Sequence, residues 1–304
     1  MDTRIPASGH VYAANRALSY VDPMMKYKDT AEGIGFYEFI KKLDKNFDSN
    51  ADLLMKQLVR AQMCIFRKEN LTLSLTGEFN FKSLLEGEML QFNRMLYDMP
   101  CVKAVPAFVL EKKNEGFKTA SKVQYVAKGG NFKRHGFAYT GALRVMETIL
   151  RYEYLWKKVR VLGGAYGAFT QFMRNGNAVL CSYRDPNLAE TLKVYEELPD
   201  YLSALVLSER EMTKYVIGTM AAEEIQLTPF MKGERALAYY LTGNTRESRM
   251  KIRDEIVNCT IDNIRSLAPL VRSVMNDPYI CVMGNEEKIR QNKALFTSIL
   301  SMPK

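Results

Sequence analysis

A chain of 304 residues, 47% hydrophobic and 25% charged, has room for one large domain or two ordinary ones, and its composition excludes intrinsic disorder. No apolar run approaches the roughly 18 residues that cross a bilayer, so no membrane partner is expected. The net charge of +9 invites a nucleic-acid reading, but the basic residues are scattered among acidic ones, and the densest patch, Lys128 to His135, carries no base-reading motif; no nucleic-acid partner is expected.

Taken in chain order, residues 10–20 read as a strand and 36–43 as an apolar helix. Ser49 with Asp52 opens another helix, in which Leu54, Leu58, Ala61 and Ile65 share a face. Leu71, Leu73 and Leu75 alternate with Thr72, Ser74 and Thr76, the period of two of a half-buried strand. Helical spacing returns over 79–97 through Leu84, Leu85, Met89, Phe92 and Leu96. From Pro100 to Thr119 the pattern dissolves into Pro106, a charged run and Gly116. Domains are therefore expected at 1–105 and 121–304, joined by a linker at 106–120.

Residues 122–127 open the second domain as a strand, and 138–160 form a helix whose Leu143, Met146, Ile149 and Leu150 lead to Leu155, Trp156 and Val159. Strands at 164–173 and 177–183 meet through Asn175-Gly176, a hairpin signal because both residues tolerate positive φ. Pro186 and Asn187 then open a helix carrying Leu188, Leu192, Tyr195 and Leu202. Ser208 and Glu211 have the spacing of a capping box. Helices over 231–242 (ended by Gly243), 246–258 and 260–275, a strand at 279–283 and a last helix from Asn285 complete the order. Helices interleaved with an antiparallel hairpin predict a layered α+β sandwich.

The chemistry available is limited. His10 and His135 are the two histidines, far apart in sequence, and a catalytic zinc normally takes three protein ligands, so no metal site is expected. Five cysteines, Cys64, Cys101, Cys181, Cys259 and Cys281, form no C-x-x-C pair and read as reduced thiols in a cytosol-like compartment. No nucleophile elbow is present, and the cluster at Gly163, Gly164 and Gly167 lacks the spacing of a phosphate loop. Arg160 and Tyr166 flank Gly163 and Gly164, with Gly167 directly after the tyrosine, and offer a fixed cationic donor and a neutral hydroxyl donor. Converging on one carbonyl, they would orient a peptide and stabilise developing oxyanion charge, with the glycines allowing close approach and a tight turn. On spacing alone, a surface arginine at a helix end and a core tyrosine explain the same residues.

The stretch from Leu155 to Asn187, LWKKVRVLGGAYGAFTQFMRNGNAVLCSYRDPN, resembles the C-terminal half of pitrilysin/insulinase-type zinc metallopeptidases, most closely the presequence-protease branch. Arg160 and Tyr166 match that branch's arginine followed six residues later by a tyrosine. The resemblance implies a mainly antiparallel α/β sandwich, with 1–105 an N-terminally truncated copy. It further implies that these two residues position the scissile peptide and stabilise its transition state, with Gly163, Gly164 and Gly167 beside the substrate. Arg184 and Asp185 would brace the fold. The zinc motif H-x-x-E-H is missing, so zinc and the catalytic base would come from the absent N-terminal half or from a zinc-bearing partner subunit. The complete enzyme would enclose unfolded peptides in a closed chamber; this chain alone would hold no cofactor and cleave nothing. A bacterial cytoplasm is expected, an organelle matrix being the alternative. A non-catalytic subunit paired with a zinc-bearing chain, and more remotely an anion- or RNA-binding module, are the competing readings.

Overall fold

The computed structural model describes residues 8–78, 85–98 and 107–302. Two compact units divide the chain: residues 1–38, 107–224 and 250–304 form one, and residues 39–106 and 225–249 the other.

The first unit is built on a six-stranded sheet: β1 (Asn114–Thr119), β2 (Tyr125–Asn131), β3 (Gly167–Phe172), β4 (Asn177–Tyr183), β5 (Tyr279–Asn285) and β6 (Ser298–Ser301), in the spatial order β3-β4-β2-β5-β1-β6. The β3–β4, β4–β2 and β2–β5 pairs are antiparallel, while β5–β1 and β1–β6 are parallel. This is the layered α+β sandwich, mainly antiparallel, that the order of elements predicts.

Strand alternation distributes the apolar side chains into two layers. Val126, Ala178, Leu180, Ile280 and Val282 pack into one core with the helices Ala142–Ile149, Ala189–Glu196, Leu198–Ser203 and Ala268–Met275. Their neighbours Tyr125, Ala127, Val179, Cys181, Tyr279, Cys281 and Met283 face the opposite layer, which holds α1 (Gly9–Ser19) and α2 (Pro23–Glu32). Both faces of the central strands are covered, which is why β2, β4 and β5 are almost continuously buried.

Residues 10–20, expected as a strand, form α1 instead. Their buried Ala13, Arg16 and Ala17 recur at helical spacing, and the short side chains let the helix lie close on the sheet. A Cβ on Gly9 would stand 2.3 Å from the Tyr125 ring, so that approach requires glycine. Asp22 caps α2, its carboxylate accepting from the Met24 and Met25 amides at 2.7 and 3.2 Å, with Pro23 at the first helical position.

Within the stretch read as a linker, Asn114–Thr119 is a strand. Its charges hid it, because Glu115 is buried and paired. Arg16 donates to Asp29 at 2.6 Å and to Glu115 at 2.7 Å, and the Tyr20 hydroxyl donates to Glu115 as well. Burial alone would raise the Glu115 carboxyl, but the hydrogen bond and charge of Arg16 outweigh it and hold it below the ordinary range. Removing one member would leave a buried charge uncompensated, so the network ties α1, α2 and β1 together.

In the second unit, none of the helices Phe47–Ile65, Glu88–Met95 and Pro229–Leu241 buries a side chain. Of the expected face Leu54, Leu58, Ala61 and Ile65, only Leu54 is half-buried. Residues 71–76 join no sheet among the described residues, and Leu71, Leu73 and Leu75 stay exposed. Alternation supplies a face but not the partner whose backbone groups a strand needs. Residues 79–84, the start of the helix expected over 79–97, lie outside the described residues, as do residues 99–106 with Cys101.

Candidate functional site

The helix leading to Arg160 is α-helical over Ala142–Ile149 and then π-wound over Leu150–Tyr154 and Trp156–Leu162. The Leu155 amide bonds to the Leu150 carbonyl, five residues back. The expected helix at 138–160 is therefore correct in place but not in winding. The cause lies in the spacing of its apolar residues. Leu150, the adjacent pair Tyr154 and Leu155, and Val159 are buried, so that the pair stands four to five residues from Leu150 on one side and from Val159 on the other. Continued α winding would turn Lys157 and Lys158 into the core where Leu155 and Val159 now sit.

The glycines close this helix. Gly164 takes φ +77° and donates its amide to the Arg160 carbonyl at 2.9 Å. Asn187 locks the same turn by donating to the Gly163 carbonyl at 2.5 Å. The chain then enters β3 with the Tyr166 amide bonded to the Tyr183 carbonyl at 3.1 Å. At the far end of β3, Gly176 takes positive φ while Asn175 does not, and the Gly176 amide closes the turn on the Met173 carbonyl at 2.9 Å. The hairpin is thus where Asn-Gly predicts it, but built as a turn over Arg174 and Asn175 followed by a left-handed glycine.

These constraints bring Arg160 and Tyr166 together. The Arg160 guanidinium lies 3.9 Å from the centre of the Trp156 ring and 5.9 Å from that of Tyr166. Tyr166 is 67% exposed and meets Tyr183 edge-on at 5.8 Å. Both donors face a pocket of about 600 Å³ whose wall also includes Gly167, Trp156 and Phe169. Gly163 and Gly164 shape the turn behind this wall, and Gly167 is the glycine of the cluster that lines it.

Two lining residues were not apparent in the sequence. His10 reaches the pocket from α1, stacked on Phe169 at 5.5 Å and edge-on to Tyr183 at 4.8 Å. Burial lowers its pKa, favouring the neutral ring, and its Nδ1 has no hydrogen-bond partner among the described residues. Arg151 lines the same wall, and only knowledge of the π winding would have placed it there.

Arg184 and Asp185 follow β4. Arg184 takes φ +48° and lies 5.5 Å from the Tyr183 ring centre. Asp185 is fully buried; its backbone pairs with Gln124, and its carboxylate accepts from Thr191 at 2.7 Å and from the Asn187 amide at 2.9 Å. Asp185 braces the loop.

The residues do not fit a zinc site. His10 sits among aromatic rings and His135 pairs with Asp277 at 3.2 Å, and among the described residues no three His, Cys, Asp or Glu side chains gather as a metal-binding group. Cys64, Cys181, Cys259 and Cys281 are thiols joined by no disulfide. No helix among the described residues is long and apolar enough to cross a membrane.

The PreP C-terminal domain family matches residues 114–285, and a peptidase-associated family matches residues 1–43. Protein HypA of Clostridium perfringens is 41% identical over 98% of this chain, which covers 30% of that protein. Presequence protease 1, chloroplastic/mitochondrial, of Arabidopsis thaliana is 28% identical over 95% of the chain, covering 27% of its own length. Among solved structures, pitrilysin gives a TM-score of 0.46 at 14% identity, over 65% of this chain and 23% of that one. The chain spans less than a third of the length of these curated relatives.

Proposed function

This chain belongs to the PreP C-terminal domain family, and on that premise we propose that it is the substrate-binding part of a zinc-dependent endopeptidase acting on unfolded peptides. The observation that carries the reading is the convergence of Arg160 and Tyr166 on one pocket wall, where the sequence resemblance requires a pair of donors. Zinc, held by an N-terminal half or a partner subunit, would polarise the scissile carbonyl and supply an activated water.

The work of this chain is positioning. Trp156 supports the face of the Arg160 guanidinium, which leaves the in-plane N–H groups free to donate. Tyr166, fixed through its backbone to the end of β4, offers the second donor. Two donors held before the peptide arrives need no reorganisation as negative charge builds on the carbonyl oxygen, and closure of a chamber would exclude competing water. The same reading assigns the protein to a bacterial cytoplasm or an organelle matrix.

In the complete enzyme, Arg160→Ala is expected to lower peptide turnover by about 10²–10³-fold, the usual effect of losing one such donor, with Tyr166→Phe also depressing it. Unchanged turnover across a panel of unrelated peptides would sink the assigned role. After dialysis the chain itself should hold no zinc, and one tightly bound equivalent by elemental analysis would relocate the metal centre.

A further inference from the structure

Arg151 and Arg160 stand nine residues apart on one helix. At the roughly 100° per residue of an α-helix, that spacing puts two side chains on opposite sides. The wider π winding brings both into the wall of one pocket, with Trp156 between them in sequence. Neither guanidinium makes a hydrogen bond or ion pair with any described residue, and Arg151 acts on the buried Glu147 only through space. The remaining wall is aromatic or small, with His10, Phe169 and Tyr183 among its residues, and it contains no carboxylate among the described residues.

An apolar concavity of about 600 Å³ with two unpaired guanidinium groups and no acid of its own is electrostatically incomplete. The forked donors of arginine match a carboxylate, and a pair formed beside aromatic walls is less screened than one in open water. Taking the Proposed function as its basis, we infer that the pocket selects peptides carrying a carboxylate, bound by Arg151 while Arg160 engages a peptide carbonyl. Nine helical residues rise by no more than about 13 Å. An extended peptide covers that distance in about four residues. The carboxylate therefore belongs within about four residues of the carbonyl at Arg160, either on an Asp or Glu side chain or at the peptide C-terminus. Arg151 is on this account a specificity-determining residue, since an uncharged peptide reaches Arg160 without it.

Trp156 is the one tryptophan of the chain and lies in this wall, so its fluorescence reports occupancy directly. The chain is titrated with three Phe- and Ala-rich octapeptides. The first is acetylated and amidated with a central Glu, the second is its Gln counterpart, and the third is the Gln peptide with a free C-terminal carboxylate. At least one carboxylate peptide is expected to bind about 10-fold or more tightly than the neutral one, with the gain falling as salt rises. Arg151→Gln should abolish that gain while leaving binding of the neutral peptide intact, and Arg151→Lys should restore part of it. Preference for the first peptide identifies a side-chain carboxylate, and preference for the third a terminal one. Equal binding of all three, or a gain that survives Arg151→Gln, overturns the inference while leaving peptide binding at Arg160 standing. If none of the three perturbs Trp156, the inference falls together with the reading on which it rests.

Discussion

The two stretches of the helix 142–162 use the same chain direction for opposite ends. Over Ala142–Ile149 the winding is α, and Ala142, Leu143, Val145, Met146, Glu147 and Ile149 are all buried. Beyond Ile149 it is π, and burial is confined to Leu150, Tyr154, Leu155 and Val159. Trp156, Val161 and Leu162 stay exposed, and Arg151 and Arg160 reach the pocket. A tight helix maximises contact with the sheet. The wider one keeps a narrow anchoring stripe and leaves the rest of its circumference open, with Arg151, Trp156 and Arg160 in the wall of the pocket.

If the first stretch is core and the second is site, the sharpest separation comes from Met146→Ala. Met146 is fully buried, so the substitution should cost about 2–5 kcal/mol in urea unfolding, with peptide binding reported by Trp156 retained in the folded fraction. Loss of binding at unchanged stability would reverse the assignment.

Glu147 tests the same half through pH. Burial raises its pKa to about 6, outweighing the hydrogen bond from the Phe172 amide and the charge of Arg144. A carboxyl with a folded pKa above its unfolded value binds more protons when folded. Its protonated form therefore supports folding below about pH 4.5, and that support is lost as pH rises through about 6. The change is on the order of 2 kcal/mol. Glu147→Gln should flatten stability across this window; an unchanged slope would mean that the charge of Glu147 is not carried in the core.

At the end of the π stretch, Gly164→Ala should destabilise by about 1–2 kcal/mol, because φ +77° is strained for any residue with a Cβ. The smallest stability effect is expected at Trp156→Leu. An exposed cation–π contact with Arg160 contributes about 0.5–1 kcal/mol, so melting should move little while Arg160 loses its support and peptide turnover falls in the complete enzyme. A stability loss as large as that of Met146→Ala would erase the distinction between the two stretches.

Where a signal was local, it could be read without a structure. The glycine just past the helix Pro229–Leu241, the Ser208–Glu211 capping box and the hairpin at Asn175-Gly176 all depend on residues close together in the chain. The closeness of Arg160 to Tyr166 is legible for a related reason, since only a short turn separates them. By contrast, α1 reads as a strand from sequence because its apolar residues suit either period until a sheet is placed beneath them. β1 was hidden because Glu115 looks like a solvated charge until Arg16, 99 residues away in the chain, pairs with it and with Asp29.

By itself, then, the sequence determined the hairpin turn, the Ser208–Glu211 cap, the layered α+β class and the closeness of Arg160 to Tyr166 across a short turn. The helix expected to open at Ser49, by contrast, starts earlier, at Phe47. Only the tertiary structure decided that His10 joins Arg160 and Tyr166 from a helix about 150 residues earlier in the chain, and that Arg151 shares their face rather than the opposite one. The physical reason is that capping and turn chemistry are satisfied within a few residues, whereas helix winding and the pairing of buried charges are settled by which distant side chains compete for the same core.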